Sequence, residues 1–175
     1  MAKPRRISVT VELCMGCHTC ELACAVAHSQ AKDLVLAASR GEKPGYRINV
    51  ERFGALPVPV ACQHCEEPAC VAACPTGAVH RKADGKPVLM DDARCIGCTL
   101  CVQACPFGMM AMRMDGKVGM KCDLCIERLA KGLQPACSSS CPTQALHFLE
   151  EEVSTRAKRQ AVAQKMVAAM KADRP

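Results

Sequence analysis

A twelve-residue stretch at positions 95–106 constrains this chain more than any other feature. Its four cysteines follow the spacing C-x2-C-x2-C-x3-C-P, which is typical of runs that bind cubane [4Fe–4S] clusters. In proteins with two such clusters, the first three cysteines bind one cluster and the fourth cysteine binds the other. The stretch therefore predicts a partner run elsewhere in the chain.

Three further groups of four cysteines supply possible partners, and together the four groups account for all 16 cysteines of the 175 residues. Group one is Cys14, Cys17, Cys20 and Cys24; group two is Cys62, Cys65, Cys70 and Cys74; group three is Cys95, Cys98, Cys101 and Cys105; group four is Cys122, Cys125, Cys137 and Cys141. The last cysteine of three groups begins a similar five-residue sequence, at 74–78, 105–109 and 141–145. This repeat indicates one structural unit used several times. Gln144 stands where the other two turns have Gly, so we expect its turn to differ.

The short gaps within each group favour metal binding over disulfides between distant segments. We expect no secretory signal, because residues 1–6 are polar and no apolar segment follows them. No apolar run approaches the roughly 20 residues needed to span a bilayer. These observations predict reduced thiols in the cytoplasm, with any contact to a membrane made through partners.

The basic composition does not indicate a nucleic-acid-binding protein. The formal charge is +6 with the cysteines counted as neutral. Sixteen thiolates and four oxidised cubane cores of charge +2 together add about −8, which leaves a net charge near −2. Aromatic residues make up only 2% of the chain, too few for base-stacking surfaces.

Two schemes can pair the cysteine groups. In the adjacent scheme, group one pairs with group two and group three pairs with group four. In the nested scheme, the four ligand sets are Cys62, Cys65, Cys70 and Cys105; Cys95, Cys98, Cys101 and Cys74; Cys14, Cys17, Cys20 and Cys141; and Cys122, Cys125, Cys137 and Cys24. The 37 residues between groups one and two favour the nested scheme. A structural zinc site within group four is a further alternative.

The hydrophobic pattern predicts short strands and helices around the cysteine groups. We predict a helix over 19–28, a helix or coil over 32–39, and an amphipathic helix in the tail 150–175. Predicted strands or extended segments cover 7–11, 46–51, 56–60, 78–80, 88–90, 109–114, 118–120 and 145–148. His18 and His64 lie inside cysteine loops, where we expect them to surround a cluster rather than bind it, and we expect the methionines at 109–120 to pack around one.

With these motifs in place, residues 11–149 resemble the four-cluster iron–sulfur electron-transfer subunits of molybdenum or tungsten oxidoreductases and formate-linked hydrogenases. The resemblance implies four [4Fe–4S] clusters bound by the nested ligand sets. It also implies an α+β fold of two bacterial-ferredoxin-like (βαβ)2 modules, one nested within the other, plus a C-terminal helix. The outer module would cover 1–45 and 118–149, the inner module 46–117, and the helical tail 150–175.

A narrower resemblance concerns the partners. Residues 20–29, 32–34, 62–66 and 121–125 look like the ferredoxin-type subunit that accepts electrons from nickel carbon monoxide dehydrogenase. This implies relay of single electrons from that enzyme to a hydrogenase or another acceptor, with a formate dehydrogenase or other molybdenum or tungsten enzyme as the alternative donor. A reductase with its own active site is disfavoured, because the chain has no G-x-G-x-x-G, no P-loop and no unused cysteine. A structural or regulatory role for the clusters is the remaining alternative.

Overall fold

The fold is built from short elements, because the cysteine groups leave little room for longer ones. The computed structural model describes residues 5–83 and 86–150, and the predicted tail helix lies outside them. The strands are β1 (Arg5–Val9), β2 (Ile48–Phe53), β3 (Leu56–Ala61), β4 (Val79–Arg81), β5 (Val88–Met90), β6 (Ala111–Met112), β7 (Gly119–Met120) and β8 (Leu146–Glu150). The helices are α1 (Thr19–Ala27), α2 (Leu34–Ser39), α3 (Ala69–Ala72), α4 (Leu100–Ala104), α5 (Ile126–Ala130) and α6 (Ala136–Ser139).

The strands pair two by two in antiparallel ladders. Strand β1 pairs with β8, so the described part of the chain begins and ends in one ladder, with Ile7 opposite Phe148. The other three ladders are the hairpins β2–β3, β4–β5 and β6–β7. The α+β prediction is confirmed by this mixture of elements.

Hairpin β2–β3 contains two prolines, which lack the N–H that a ladder needs. Pro57 and Pro59 are two positions apart and face Arg52 and Val50 on the partner strand. Because neighbouring positions of a strand alternate in direction, the strand can still donate through Val58 and Val60. The extended segment expected before group two is therefore one arm of a hairpin.

Two hydrophobic clusters form the core of the described ranges. The first joins both ends of the described chain, since Ile7, Leu124 and Leu146 are buried together with three cysteines. The second belongs to the middle of the chain and contains Val79 and Val88, each only 1% exposed. Ile48 and Ala61 of the β2–β3 hairpin lie in the first cluster. The sequence-based module boundary would assign this hairpin to the inner module, and that boundary stays a prediction.

Several elements differ from the expected bounds. The hairpin expected over 109–114 and 118–120 shortens to β6–β7, because the N–H of Met109 donates to Cys105 Sγ, 3.4 Å away, instead of joining a ladder. The turn at Gln144 was expected to differ, and this was wrong: Gln144 has φ +54°, close to the +63° of Gly77 and Gly108. Within the described ranges, no helix is long and apolar enough to cross a membrane.

Candidate metal centres

Three cavities each bring together four cysteines that come from two groups. Site 1 contains Cys14, Cys17, Cys20 and Cys141. Site 2 contains Cys62, Cys65, Cys70 and Cys105, and site 3 contains Cys74, Cys95, Cys98 and Cys101. Group four therefore does not gather its own four thiols, as a zinc site within that group would require.

The remaining four cysteines, Cys24, Cys122, Cys125 and Cys137, form site 4. Cys24 Sγ lies 3.7 Å from Nδ1 of His28, and Cys125 Sγ lies within 4.8 Å of a ring nitrogen of the same histidine. Cys24 and Cys137 are buried in the first hydrophobic cluster, and Cys122 packs against that cluster. Site 4 is therefore assembled around one end of helix α1.

Sites 1 and 3 are built in the same way. A strand leads through a 3₁₀ turn, Val11–Leu13 or Asp92–Arg94, into a Cys-x-Gly-Cys loop and then a helix. The fourth cysteine of each site comes from a distant turn, which the ladder holds in place. In site 1 the N–H of Thr10 donates to the carbonyl of Ala145 at 2.8 Å, and in site 3 Asp91 donates to Ala78 at the same distance.

Sites 2 and 4 share a second design. Each begins with a Cys-x2-Cys loop and receives its third cysteine from a Pro-Ala-Cys segment, at 68–70 and 135–137. The proline precedes a four-residue helix, α3 or α6, that carries this cysteine. The gap before the third cysteine is longer in group four, because it contains helix α5.

All four Cys-x2-Cys loops place a left-handed residue before their second cysteine. These residues are Gly16, His64, Gly97 and Leu124, with φ between +47° and +70°. Glycine adopts this conformation without strain, whereas His64 and Leu124 adopt it at a cost of about 1–2 kcal/mol each. The loops therefore share one shape despite different sequences.

Backbone N–H groups point at the sulfur atoms, as an anionic cluster requires. Val79 donates to Cys74 Sγ and Gly119 to Cys95 Sγ at site 3, each at 3.4 Å. At sites 2 and 4, Met109 donates to Cys105, Leu124 to Cys122 and Arg47 to Cys24, at 3.3–3.4 Å. All 16 cysteines fall within the described ranges and none forms a disulfide. Four thiols with N–H donors to sulfur fit a [4Fe–4S] cluster.

The protonation of the thiols supports metal binding over nucleophilic reactivity. Burial raises the pKa of Cys24 and Cys137 to about 12 and that of Cys20 to about 11. Such thiols are protonated at neutral pH and become ligands when a metal ion displaces the proton. The exposed Cys17 differs, because a hydrogen bond with the Thr19 side chain lowers its pKa.

His64 provides a further test of the fit at site 2. Its side chain is buried and lines the site 2 cavity. Burial lowers its pKa to about 3, so the ring is neutral, and Nδ1 accepts the N–H of Val88 at 3.1 Å. The hydrogen of the ring is therefore on Nε2, which has no hydrogen-bond partner among the described residues. A sulfur atom of a bound cluster would satisfy this donor.

Charged side chains hold the loops of sites 2 and 4. Arg81 donates to the carbonyls of His64, Cys65 and Glu66 and so fixes the loop of site 2. At site 4, Asp123 accepts from the N–H of Cys125 and contacts His28 and Arg47 at 3.1 and 2.8 Å. Burial alone would raise the pKa of Asp123, but the hydrogen bond from His28 and the charge of Arg47 hold it well below the usual range. Asp123 therefore stays ionised.

Sequence reasoning missed the groups that surround the thiols. Arg47, Arg81 and Asp123 look like surface charges in the sequence, because the contacts of Arg81 with carbonyls and the Arg47–Asp123 ion pair join residues 15 or more positions apart. One signal was available. The repeated Pro-Ala-Cys at 68–70 and 135–137 would have shown that sites 2 and 4 share a design.

Comparison with known proteins gives a consistent result. Residues 54–151 match the model described as a 4Fe-4S dicluster domain, and residues 11–27 match a 4Fe-4S binding domain. The chain is 38% identical over 165 residues to an iron-sulfur protein of Rhodospirillum rubrum, covering 87% of this chain and 86% of that protein. It is 38% identical to the B subunit of anaerobic dimethyl sulfoxide reductase of Escherichia coli, with coverage of 77% and 68%. It is 41% identical to the thiosulfate reductase electron transfer subunit PhsB of Salmonella typhi, with coverage of 77% and 70%.

Proposed function

Because the chain belongs to the 4Fe-4S dicluster family, we propose that it is the electron-transfer subunit of an oxidoreductase complex and carries four [4Fe–4S] clusters. The proposal assigns one cluster to each of sites 1 to 4, with all 16 cysteines as ligands. The supporting observations are the convergence of four thiols at each of sites 1, 2 and 3, and the N–H donors directed at sulfur atoms of sites 2, 3 and 4. Each cluster, when bound, takes up and releases one electron.

The positions of the cysteines on the short helices support an electron relay in which the clusters follow the order site 1, site 4, site 2 and site 3. Helix α1 carries Cys20 of site 1 and Cys24 of site 4, one turn of about 6 Å apart. The charge of Cys62 at site 2 acts on the thiol of Cys122 at site 4, so these two sites are neighbours. Helix α3 carries Cys70 of site 2 and leads directly to Cys74 of site 3. Neighbouring sites thus share a backbone connection or an electrostatic contact.

Exposure supports sites 1 and 3 as the two ends of this relay. Cys17 of site 1 and Cys98 of site 3 are exposed, whereas no cysteine of sites 2 and 4 is. The residues beside these thiols, Met15 and Ile96, are 65% and 66% exposed. An electron therefore enters at one of these ends and leaves at the other, while the protein keeps water from the two central sites.

The partner we infer is nickel carbon monoxide dehydrogenase, with a hydrogenase or another reductase as the acceptor, in the cytoplasm and with any membrane contact made through partners. The resemblance of the sequences at 20–29 and 121–125 to the ferredoxin-type subunit supports this donor. A second candidate is a subunit of a molybdenum or tungsten enzyme such as formate dehydrogenase. It is favoured by the relatives from dimethyl sulfoxide reductase and thiosulfate reductase.

Two measurements test the function. Anaerobically prepared protein should contain about 16 iron and about 16 sulfide per chain, all reversibly reducible. About 12 of each with one zinc would contradict full occupancy. Catalytic amounts of nickel carbon monoxide dehydrogenase and carbon monoxide should then reduce the clusters. Reduction by a molybdenum or tungsten enzyme and its substrate, without reduction by carbon monoxide dehydrogenase, would replace the first donor by the second.

A further inference from the structure

Lys121 is the one formally charged side chain among the buried polar residues that the structure describes. It is 3% exposed, and the other buried polar residues are Ser29, His64 and Ser138. Its Nζ donates to the carbonyl oxygens of Val88 and Cys122, both at 2.6 Å. Two carbonyls satisfy two of the three ammonium hydrogens but supply no negative charge. A buried ammonium without a counter-charge is strongly unfavourable.

No carboxylate among the described residues pairs with Lys121. The nearest acidic residue in sequence, Asp123, is engaged by Arg47 at 2.8 Å and by His28 at 3.1 Å. Glu127 contacts Lys32, and Asp92 contacts Arg113. The counter-charge must therefore come from another kind of anion.

The cysteines of two sites are the anions within reach. Lys121 lines the site 2 cavity together with its four cysteines. At site 4, Lys121 directly precedes Cys122 and donates to its carbonyl oxygen. His64, which lies in the same cavity, is neutral and cannot take this role.

Building on the proposed function, we propose that Lys121 is the shared counter-cation of the two central clusters, those of sites 2 and 4, and raises their reduction potentials. Transfer between sites moves one electron from a reduced donor to an oxidised acceptor, with no bond made or broken. The acceptor becomes more negative, so a fixed cation beside it favours the reduced state. Sites 1 and 3 have no such buried cation among the described residues.

The test is an EPR-monitored redox titration of the full holoprotein and its Lys121→Met variant. Methionine keeps the length of the side chain and removes its charge. Two of the four midpoint potentials should shift to more negative values and two should stay. Lys43→Met is the matched control, because Lys43 is exposed and has no role at any of the four sites, so that solvent screens its charge. It should leave all four midpoints in place.

A Lys121→Arg variant keeps the charge and should keep wild-type potentials. Loss of clusters in Lys121→Met together with retention in Lys121→Arg would also support the charge requirement. Unchanged midpoints in Lys121→Met, an equal shift of all four, or loss of clusters in both variants would overturn the proposal. Absence of four reducible clusters in the wild type would instead contradict the proposed function itself.

Discussion

Replacing Gly97 by alanine tests whether the loop of site 3 needs a residue without a side chain. Gly97 lies between Cys95 and Cys98 and has φ +69°. A Cβ atom at this position would lie 2.8 Å from the carbonyl oxygen of Lys117, which is too close for any real contact. The segment at Lys117 leads into strand β7, where Gly119 donates to Cys95 Sγ at 3.4 Å. The substitution should therefore displace a hydrogen-bond donor of the site as well as strain the loop.

Gly108→Ala is the matched control, because it introduces the strain of a left-handed alanine without the steric clash of the Cβ atom. Gly108 has φ +63°, and a Cβ atom there would meet nothing within 4 Å. A left-handed alanine costs about 1–2 kcal/mol, so Gly108→Ala should lose that amount alone. Forced overpacking adds about 1–3 kcal/mol, which gives Gly97→Ala a total of roughly 2–5 kcal/mol.

The rate of cluster loss measures this difference, since equilibrium unfolding of a cofactor protein is not two-state. The left-handed strain and the steric clash both exist in the folded loop and vanish when the loop opens, so they accelerate its opening. Gly97→Ala should lose its visible cluster absorption about 5- to 150-fold faster than Gly108→Ala in anaerobic denaturant, which corresponds to about 1–3 kcal/mol. The first phase should release about 4 iron per chain, the content of one cluster. Equal rates in the two variants would refute the steric reasoning.

Three other substitutions have definite expected outcomes. Cys24→Ser should damage the cluster of site 4 alone, seen by EPR, and damage confined to the cluster of Cys62 would contradict the nested ligand sets. Gln144→Gly should slow cluster loss, because it relieves about 1 kcal/mol of left-handed strain, whereas a faster loss would contradict this account. Asp123→Asn should speed cluster loss by an amount equivalent to about 1.5–3 kcal/mol. Since the pKa of Asp123 is lowered, this difference should be constant above pH about 4 and shrink below it, and a difference that grows in acid would argue against it.

The sequence was most informative where the structure depends on neighbouring residues, as it does for the cysteine spacings and the turn sequences. Strand β5 has the predicted bounds, and helix α1 begins at the predicted Thr19 and ends one residue early. Three cavities also hold sets of four cysteines that match sets of the nested scheme, although the ligands of each cluster stay a proposal. Short-range chemistry explains the bounds of β5 and α1, because loop shape and helix position follow from neighbouring residues.

The sequence was less informative where a tertiary contact overrides a local preference. Glycine at 77 and 108 suggested that Gln144 would form another kind of turn. Instead its N–H bonds the carbonyl of Cys141 at 3.2 Å, in the same way as Gly108 bonds Cys105. Residues Thr10 and Ala145 fix this turn through the β1–β8 ladder, so the backbone conformation is imposed from a segment 135 residues away. Propensity alone could not reveal that constraint.

Lys121 shows why a residue at the junction of two cores is hard to recognise in a sequence. In the sequence it is a lysine beside a cysteine, and most lysines are exposed. Its burial results from contact with Val88, 33 residues away on β5 and part of the second hydrophobic cluster. The cysteine that follows it packs against the first cluster. The position of Lys121 therefore adjoins both hydrophobic clusters. It also lies beside sites 2 and 4, which contain no exposed cysteine. In the proposed role, this cation acts on sites 2 and 4 together, because it lines the cavity of site 2 and directly precedes a cysteine of site 4.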